Sequence, residues 1–333
     1  MIRIGSRGSP LALWQAKHVA QALHAAGHAT AIEIIRTTGD RLQNVPFAEV
    51  GTKGMFTKEI EQALAAGRIE LAVHSLKDLP TVLDPLFTLA AIPLRADPSD
   101  ALVSRDCESF AALPPGSRVG TSSLRRQSQL RAYRSDLEYV GLRGNVDTRL
   151  RKLAGGEVEA IVLASAGLDR LGYTQWVRER FATLILCPAA GQGALAIETR
   201  AGDEATARAL APLDDAETRF AVTAERAALH ALGGGCQVPI GLHCARDAGG
   251  WMLSGVVASA AGEGLVRVQI GHQHAEGELG PERWHGSVSP AGAEHAAREL
   301  GERLARQLLA QGAGALLGPT DAAIERGPVV AGA

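Results

Sequence analysis

The alternation of strand and helix patterns over the first two hundred residues is the feature that most constrains the fold of this chain. Short apolar runs predict strands over residues 2–6, 32–37 and 69–74, and apolar residues at helical spacing predict helices over 10–26 and 56–66. Such alternation implies a mainly parallel sheet covered by helices.

The same pattern restarts near Asp100. We predict strands over residues 101–103, 118–120, 137–142, 158–164 and 184–187, and helices over 123–133 and 145–153. Proline-containing stretches at 93–98 and 188–193 would act as a hinge joining two similar α/β lobes, with a cleft between them. Ligands in open α/β sheets bind at the carboxyl ends of the strands, where such a cleft opens.

The pattern changes beyond Asp214. A helix over 216–232, strands over 238–244, 251–258 and 264–270, and an amphipathic helix near 290–310 predict a small α+β domain. We therefore predict four parts: a first lobe at 1–95 and 194–213, a second lobe at 96–193, a C-terminal domain at 214–312 and a loosely held tail at 313–333.

The charge balance argues against nucleic-acid and membrane partners, because 34 Lys and Arg residues face 36 Asp and Glu residues. The chain begins with strand-like sequence, and no apolar run approaches the length of a membrane span, so we expect a cytoplasmic protein. Its four cysteines, at 107, 187, 236 and 244, form no CxxC pair and no metal-binding spacing. We expect reduced thiols, no metal site and a monomer.

Each lobe opens a helix with a turn rich in glycine and hydroxyl side chains, Gly5–Ser9 in the first and Gly120–Ser123 in the second. The unpaired N–H groups and partial positive charge of a helix N-terminus bind anions readily. Ser and Thr at such positions are more commonly N-caps, and both interpretations stay open at this point.

Arginines at these helix starts favour an anionic ligand. Positive charge near a helix N-terminus opposes the helix dipole, and at Arg7, Arg125 and Arg126 this costs about 0.3–1 kcal/mol each. Three unfavourable charges at matching places in the two lobes indicate a function. Arg143 and Arg149 mark a third helix start. Because guanidinium groups bind carboxylates and phosphates bidentately, the ligand should carry several such groups. A nucleotide is the weaker hypothesis, since the chain lacks a P-loop and a dinucleotide-binding glycine pattern.

The segment His74–Pro80 leaves the end of a predicted strand with four polar side chains. Lys77 adds a further positive charge to the arginines that favour an anionic ligand. Asp78 lies between leucines, where a carboxylate could shuttle protons or stabilise a cation, although a structural Asp–Lys surface pair is the commoner arrangement. His74 is more often a satisfied core histidine than a catalytic group.

Cys236 follows three glycines, which allow a backbone to approach a bulky group closely. A thiol needs a positive neighbourhood to act as a nucleophile at neutral pH. The residues alone leave open whether Cys236 is reactive or packed.

Seven segments in order closely resemble the porphobilinogen deaminase family and cover roughly the first 245 residues. They are GSRGSPLALWQ (5–15), KGMFTKEIE (53–61), HSLKDLPT (74–81), GTSSLRRQ (120–127), RGNVDTRL (143–150), PAAGQGALAIE (188–198) and GGGCQVPIG (233–241). Any one of these segments is weak evidence, but seven in family order are specific.

The resemblance implies a transferase of tetrapyrrole (heme) biosynthesis. Family members condense four porphobilinogen molecules head to tail into hydroxymethylbilane, with loss of ammonia, on a dipyrromethane cofactor. The implied fold has two lobes like those of periplasmic binding proteins and a third domain that carries the cofactor, with no metal. The implied attachment is a thioether to Cys236, and Asp78 is implied to handle pyrrole N–H groups, assist ammonia loss and stabilise the cation.

The resemblance also implies which side chains bind the acetate and propionate groups of the ligands. The implied cofactor-binding residues, besides Cys236, are Ser75, Lys77, Asp78, Thr121, Ser123, Arg125, Arg126 and Arg143. The implied substrate-binding residues are Arg7, Ser9, Arg149, Arg170 and Gln192.

Two hypotheses from other classes compete with this one. A non-catalytic binding module, such as a two-lobed solute receptor or effector sensor, would explain the lobes and anion sites but not a glycine-flanked cysteine in a third domain. A different carboxylate-handling transferase with a thiol nucleophile would explain the cysteine, and would carry no attached pyrrole.

Overall fold

The computed structural model describes residues 1–41, 57–234, 238–272 and 289–317. The chain forms two compact units. The first consists of Met1–Ser122, Asp136–Thr183 and Gly191–Arg219, and the second consists of Ser123–Ser135, Leu184–Ala190 and the chain from Phe220 onward.

The first unit contains two five-stranded sheets, of which the first is built from strands distant in sequence. Its strands are β1 (Ile2–Ser6), β2 (Thr30–Ile34), β3 (Leu71–Ser75), β4 (Phe87–Ala91) and β10 (Leu195–Arg200), in the order β2-β1-β3-β10-β4. Strand β1 runs parallel to β2 and β3, whereas β10 runs antiparallel to β3 and β4.

Helices cover both faces of this sheet because its strands present apolar residues on both sides. The helices are α1 (Pro10–Ala25), α2 (Thr38–Arg41), α3 (Lys58–Ala65) and α7 (Glu204–Leu210). Val19 and Leu23 of α1 pack in a core with Leu71 and Ile197. On α3, Ile60 and Leu64 pack with Ala72 in a separate core. Successive side chains of β3 point to opposite faces of the sheet, so those of odd-numbered residues pack against α1 and those of even-numbered residues pack against α3.

The second sheet repeats this topology. Its strands are β5 (Asp100–Ser104), β6 (Arg118–Gly120), β7 (Glu138–Val140), β8 (Ala160–Ala164) and β9 (Val177–Arg180), in the order β7-β6-β8-β5-β9. Strand β6 is parallel to β7 and β8, and β5 is antiparallel to β8 and β9. Helices α5 (Val146–Ala154) and α6 (Ser165–Arg170) belong to this sheet's lobe.

The shared strand order confirms the prediction of two similar α/β lobes. In each sheet three parallel strands are followed by an antiparallel strand and an edge strand. In each sheet four of the five strands run in the same direction, which agrees with the prediction of mainly parallel sheets, and one strand, β10 in the first sheet and β5 in the second, runs antiparallel to both of its neighbours. Strands β4, β9 and β10 were not predicted from the sequence.

The second unit contains an antiparallel sheet of β11 (Ile240–Asp247), β12 (Gly250–Ala258) and β13 (Leu265–His272). Its helices are α4 (Leu124–Tyr133), the greater part of α8 (Ala216–Ala231), α9 (Pro290–Ala310) and α10 (Ala313–Leu317). Phe220 stacks on Trp251 at 4.4 Å, and Leu253 and Leu304 are buried in the same core. The small α+β domain is therefore confirmed. Among the described helices, none combines the length and apolar character needed to cross a membrane.

Two predicted elements differ from the structure. Residues 184–187 form no strand. Side chains, rather than a neighbouring strand, form the hydrogen bonds to the backbone N–H and C=O groups of Cys187. Cys187 N donates to Gln129 Oε1 at 2.8 Å, and Cys187 O accepts from Arg125 Nη1 at 2.7 Å. Residues 313–317, predicted as the start of the tail, form α10 with Ala313 fully buried. The rest of that tail lies outside the described residues.

Gly301 provides a test of the packing between α8 and α9. A Cβ at Gly301 would lie 2.3 Å from Ala224 O and 2.8 Å from Ala227 Cβ. We expect Gly301→Ala to lower the free energy of unfolding by about 1–3 kcal/mol, because two backbones must separate. Denaturant titration measures this, and Gly314→Ala is the control, since its Cβ would find Leu309 Cδ2 at 3.6 Å. Equal stability of the two variants would contradict the prediction.

Candidate active site

A cavity of about 80 Å³ lies at the carboxyl ends of β1 and β3. These two strands are parallel neighbours, so the loops that follow them meet at one edge of the sheet. The polar side chains that line the cavity include Arg7, Ser9, Gln15, His74, Ser75 and Asp78. Four of the residues predicted from sequence, namely Arg7, Ser9, Ser75 and Asp78, are therefore brought together.

The α1 side of the cavity is fixed by a cap and a buried amide. Ser9 Oγ accepts a hydrogen bond from Ala12 N at 3.3 Å, so Ser9 is the N-cap of α1, the commoner role considered for it. Gln15 Nε2 donates to Ser75 Oγ at 2.8 Å. Sequence analysis missed Gln15. Its signal was a polar residue one helical turn from Leu11, on the face of α1 that is otherwise apolar.

Asp78 is exposed to the cavity because the leucines beside it hold the turn. Leu76–Asp78 is a 3₁₀ turn, with Leu76 and Leu79 buried and Asp78 exposed. Gly191 has a φ of +72°, and a Cβ there would lie 2.9 Å from Leu76 Cγ, so only glycine allows this close contact. The carboxylate is thus presented on a rigid turn rather than on a free loop.

His74 and Glu198 form a buried pair on the α3 face of the sheet. His74 Nε2 lies 3.1 Å from Glu198 Oε2, and the two residues are 8% and 0% exposed. Glu198 Oε1 has no hydrogen-bond partner within the described part of the chain. Burial raises the pKa of the neighbouring Glu61, a hydrogen bond from Thr57 opposes this, and the Glu198 carboxylate raises it further. Because of its contact with Glu198, His74 is a paired core histidine, and it also borders the cavity.

Removing one member of this pair should be costly. We expect His74→Leu to lower the free energy of unfolding by about 1–3 kcal/mol, because it leaves the buried Glu198 Oε2 without its hydrogen-bond partner. The double variant His74→Leu/Glu198→Leu should recover much of that loss, since it removes both polar partners. Chemical denaturation of both variants measures the difference. A double variant less stable than the single one would contradict the argument.

Arg170 is a partly buried cation on α6. Its Nη2 donates to Gly193 O at 2.7 Å, and its guanidinium lies 5.6 Å from the centroid of the Trp14 ring. Burial lowers the pKa of Arg170 to about 10, while Asp169 acts in the opposite direction. A carboxylate ligand would offset the desolvation of this group, which makes Arg170 a suitable anion-binding residue.

The second lobe carries three of the predicted binding residues at its own strand ends. Thr121 is fully buried, and its N–H donates to Val140 O at 2.9 Å. Arg143 and Arg149 are partly buried beside the start of α5. Arg149 Nε donates to Gly144 O at 2.8 Å, which draws its guanidinium toward the helix N-terminus.

The second unit carries Ser123, Arg125 and Arg126 at the start of α4. Ser123 Oγ accepts from Arg126 N at 3.4 Å and caps the helix. Arg125 and Arg126 are only 4% and 6% exposed, although a first turn disfavours positive charge. Arg125 Nη1 donates to Cys187 O at 2.7 Å, so this buried guanidinium is bonded within the protein. Cys236 lies outside the described residues.

Fold and site together define a two-lobed α/β protein with a polar cavity lined by Arg7 and Asp78 and an additional α+β domain. The family model described as porphobilinogen deaminase, dipyromethane cofactor binding domain, matches residues 2–208, and the model of the C-terminal domain of porphobilinogen deaminase matches residues 219–310. The chain therefore belongs to the porphobilinogen deaminase family.

Curated relatives of the same name match over nearly the full length. The porphobilinogen deaminase of Roseiflexus sp. (strain RS-1) is 51% identical, over 94% of this chain and 97% of the relative. That of Roseiflexus castenholzii is 47% identical, over 95% and 98%. A solved periplasmic substrate-binding protein from Coxiella burnetii is 15% identical, with a TM-score of 0.41 over 64% of this chain and 92% of that one. The repeated strand order, rather than this weak similarity, establishes the two lobes.

Proposed function

We propose that this chain condenses four porphobilinogen molecules head to tail, with loss of ammonia, into hydroxymethylbilane on a covalently attached dipyrromethane primer. The observation that carries this proposal is the exposed Asp78 carboxylate in a cavity also lined by Arg7, within a chain that matches the family over almost its whole length. The reaction belongs to tetrapyrrole and heme biosynthesis.

The donor set fits a dipyrromethane with acetate and propionate groups. Such a cofactor needs several cationic donors, and the buried guanidinium groups of Arg125 and Arg126 supply charge that is already desolvated. We assign cofactor binding to Ser75, Lys77, Asp78, Thr121, Ser123, Arg125, Arg126 and Arg143, with a thioether to Cys236. When bound, the group supplies the nucleophilic pyrrole carbon to which the first substrate unit is joined.

The substrate carboxylates are assigned to a second set of groups. These residues are Arg7, Ser9, Arg149 and Arg170. The lowered pKa of Arg170 supports its assignment, because a carboxylate would restore the charge stabilisation that burial removes. Bidentate binding of several carboxylates orients the planar pyrrole against Asp78.

Asp78 is assigned the proton and charge chemistry. Its carboxylate is positioned to accept hydrogen bonds from pyrrole N–H groups, and a fixed negative charge stabilises the cation that develops as ammonia departs. The rigid turn between Leu76 and Leu79 keeps that charge in place, so little reorganisation is needed during reaction.

The proposal extends to organisation and setting. We assign residues 1–95 and 194–213 to the first lobe, 96–193 to the second and 214–312 to the domain that carries the cofactor. The enzyme is a cytoplasmic monomer whose partner is porphobilinogen, with no nucleic-acid or membrane partner.

The test is turnover of porphobilinogen by the purified protein. We expect hydroxymethylbilane to form with four ammonia molecules released per product. Saturable binding of porphobilinogen without ammonia release would overturn the proposal in favour of the non-catalytic binding module. Ammonia release without a tetrapyrrole product would favour a different transferase.

A further inference from the structure

Gln192 lies fully buried in the first unit, and both ends of its amide are hydrogen-bonded. Its Nε2 donates to Pro98 O at 2.6 Å, to Asp100 Oδ1 at 3.0 Å and to Ser99 O at 3.2 Å. Its Oε1 accepts from Lys77 Nζ at 3.3 Å. The family resemblance implied that Gln192 binds substrate, and in the structure its side chain forms hydrogen bonds to protein groups.

The orientation of this amide is determined by its surroundings. Three acceptors converge on the NH₂ group, so a flipped amide would place its oxygen against three other oxygens and lose these hydrogen bonds. The carbonyl oxygen must therefore point at Lys77. A buried amide with an unmade hydrogen bond is unfavourable, which favours this single arrangement.

The backbone beneath Gln192 is equally constrained. Gln192 O accepts from Arg95 Nε at 2.7 Å, and Gly193 O accepts from Arg170 Nη2 at 2.7 Å. Gly193 has a φ of +87°, and a Cβ there would lie 2.4 Å from Ala96 O. The segment cannot shift without breaking these contacts, so the backbone of Gln192 is held in one position.

We propose that Gln192 is a positioning residue that sets the place of the Lys77 ammonium group and couples it to residues 98–100, where the chain enters the second lobe. The idea rests on the proposed function, in which Lys77 binds a carboxylate of the cofactor. Gln192 acts through Lys77 and does not itself touch a ligand. A change at residues 98–100 is thereby transmitted to the ammonium group through a single side chain.

A pH-dependent variant tests the amide directly. In Gln192→Glu, a protonated carboxyl can donate to the residue 98–100 acceptors and accept from Lys77, as the amide does. The ionised form sets a negative charge against Asp100 Oδ1 and two carbonyl oxygens. The charged groups around it are Lys77, Asp100, Arg95 and Arg170. Burial and Asp100 raise the pKa of the introduced carboxyl, whereas the three cations lower it. Because ionisation breaks the contacts with residues 98–100, we expect kcat/KM relative to wild type to fall about tenfold as the pH rises through that pKa.

Gln192→Met is the matched variant, because it has a similar length and cannot ionise. Its kcat/KM relative to wild type should be lower at every pH and should not change with pH. A flat ratio in Gln192→Glu as well would overturn the role of the amide. Thermal unfolding of each variant separates loss of fold from loss of function.

A second measurement follows Lys77 without using activity. The pH dependence of its labelling by an amine-reactive reagent, read by peptide mass spectrometry on the holoprotein, reports its protonation. We expect labelling of Lys77 to move to lower pH in Gln192→Met, because the charged amine loses an acceptor, while the exposed Lys17 stays unchanged. An unchanged Lys77 profile would overturn the proposal even if turnover fell.

A double-mutant cycle completes the test. If Gln192 acts through Lys77, then Gln192→Met should cost little additional kcat/KM in a Lys77→Met background. Additive losses would overturn the coupling. Absence of turnover in the wild type would instead overturn the proposed function, and the labelling comparison would still decide the role of Gln192.

Discussion

Replacing Asp78 by asparagine should reduce turnover of porphobilinogen by about a hundredfold or more while leaving the fold intact. Asparagine keeps the size of the side chain and one acceptor oxygen but removes the negative charge. That charge is what the proposed reaction requires as a cation develops. Since Asp78 is exposed on a turn held by buried leucines, its loss removes no packing.

The control for Asp78→Asn is Asp84→Asn. Asp84 is also exposed, lies six residues further along the same connection, and its carboxylate accepts a local hydrogen bond from Leu86 N at 2.9 Å. Its replacement should leave kcat within about twofold of wild type, as surface substitutions usually do. Steady-state rates and circular dichroism of both variants decide the matter. Retained turnover in Asp78→Asn would remove that residue from the chemistry.

The sequence predicted those parts of the fold whose signal is local. Strand β8 is a continuous apolar run, and α1 starts with Ser9 and Pro10 as a capped helix does. Strand β10 has no such signal, because it carries the buried Glu198 and the partly buried Arg200. Its identity depends on pairing with β3 and β4, more than one hundred residues earlier.

The same distinction applies to the site. Asp78 and the arginines lie in short motifs whose residue types indicate anion chemistry, so they could be predicted. Gln15 and Gln192 could not be assigned their contacts, because Ser75 is 60 residues from the first and Lys77 is 115 residues from the second. Their hydrogen bonds are consequences of tertiary structure, which periodicity and local propensity do not report.

The caps show that the structural and functional interpretations of one residue need not compete. Ser9 and Ser123 each accept a bond from their own helix, as N-caps do. The following arginines of α4 are nevertheless buried in a first turn, which capping does not explain. A cap fixes the helix start, and a fixed start is what allows nearby cations to be held in position for a ligand.

Replacing Cys236 by serine should abolish attachment of the dipyrromethane and, with it, turnover. A serine hydroxyl is a far weaker nucleophile than a thiolate near neutral pH and forms no thioether. Intact-mass measurement should give a wild-type excess matching one dipyrromethane, provided that the protein is made in cells with working tetrapyrrole synthesis. The variant should show none. Cys107→Ser is the control, because Cys107 is a free, partly buried thiol, and it should retain the excess. An excess that persists in Cys236→Ser would move the attachment site to another residue, and a wild type without any excess would remove the covalent primer from the proposed function.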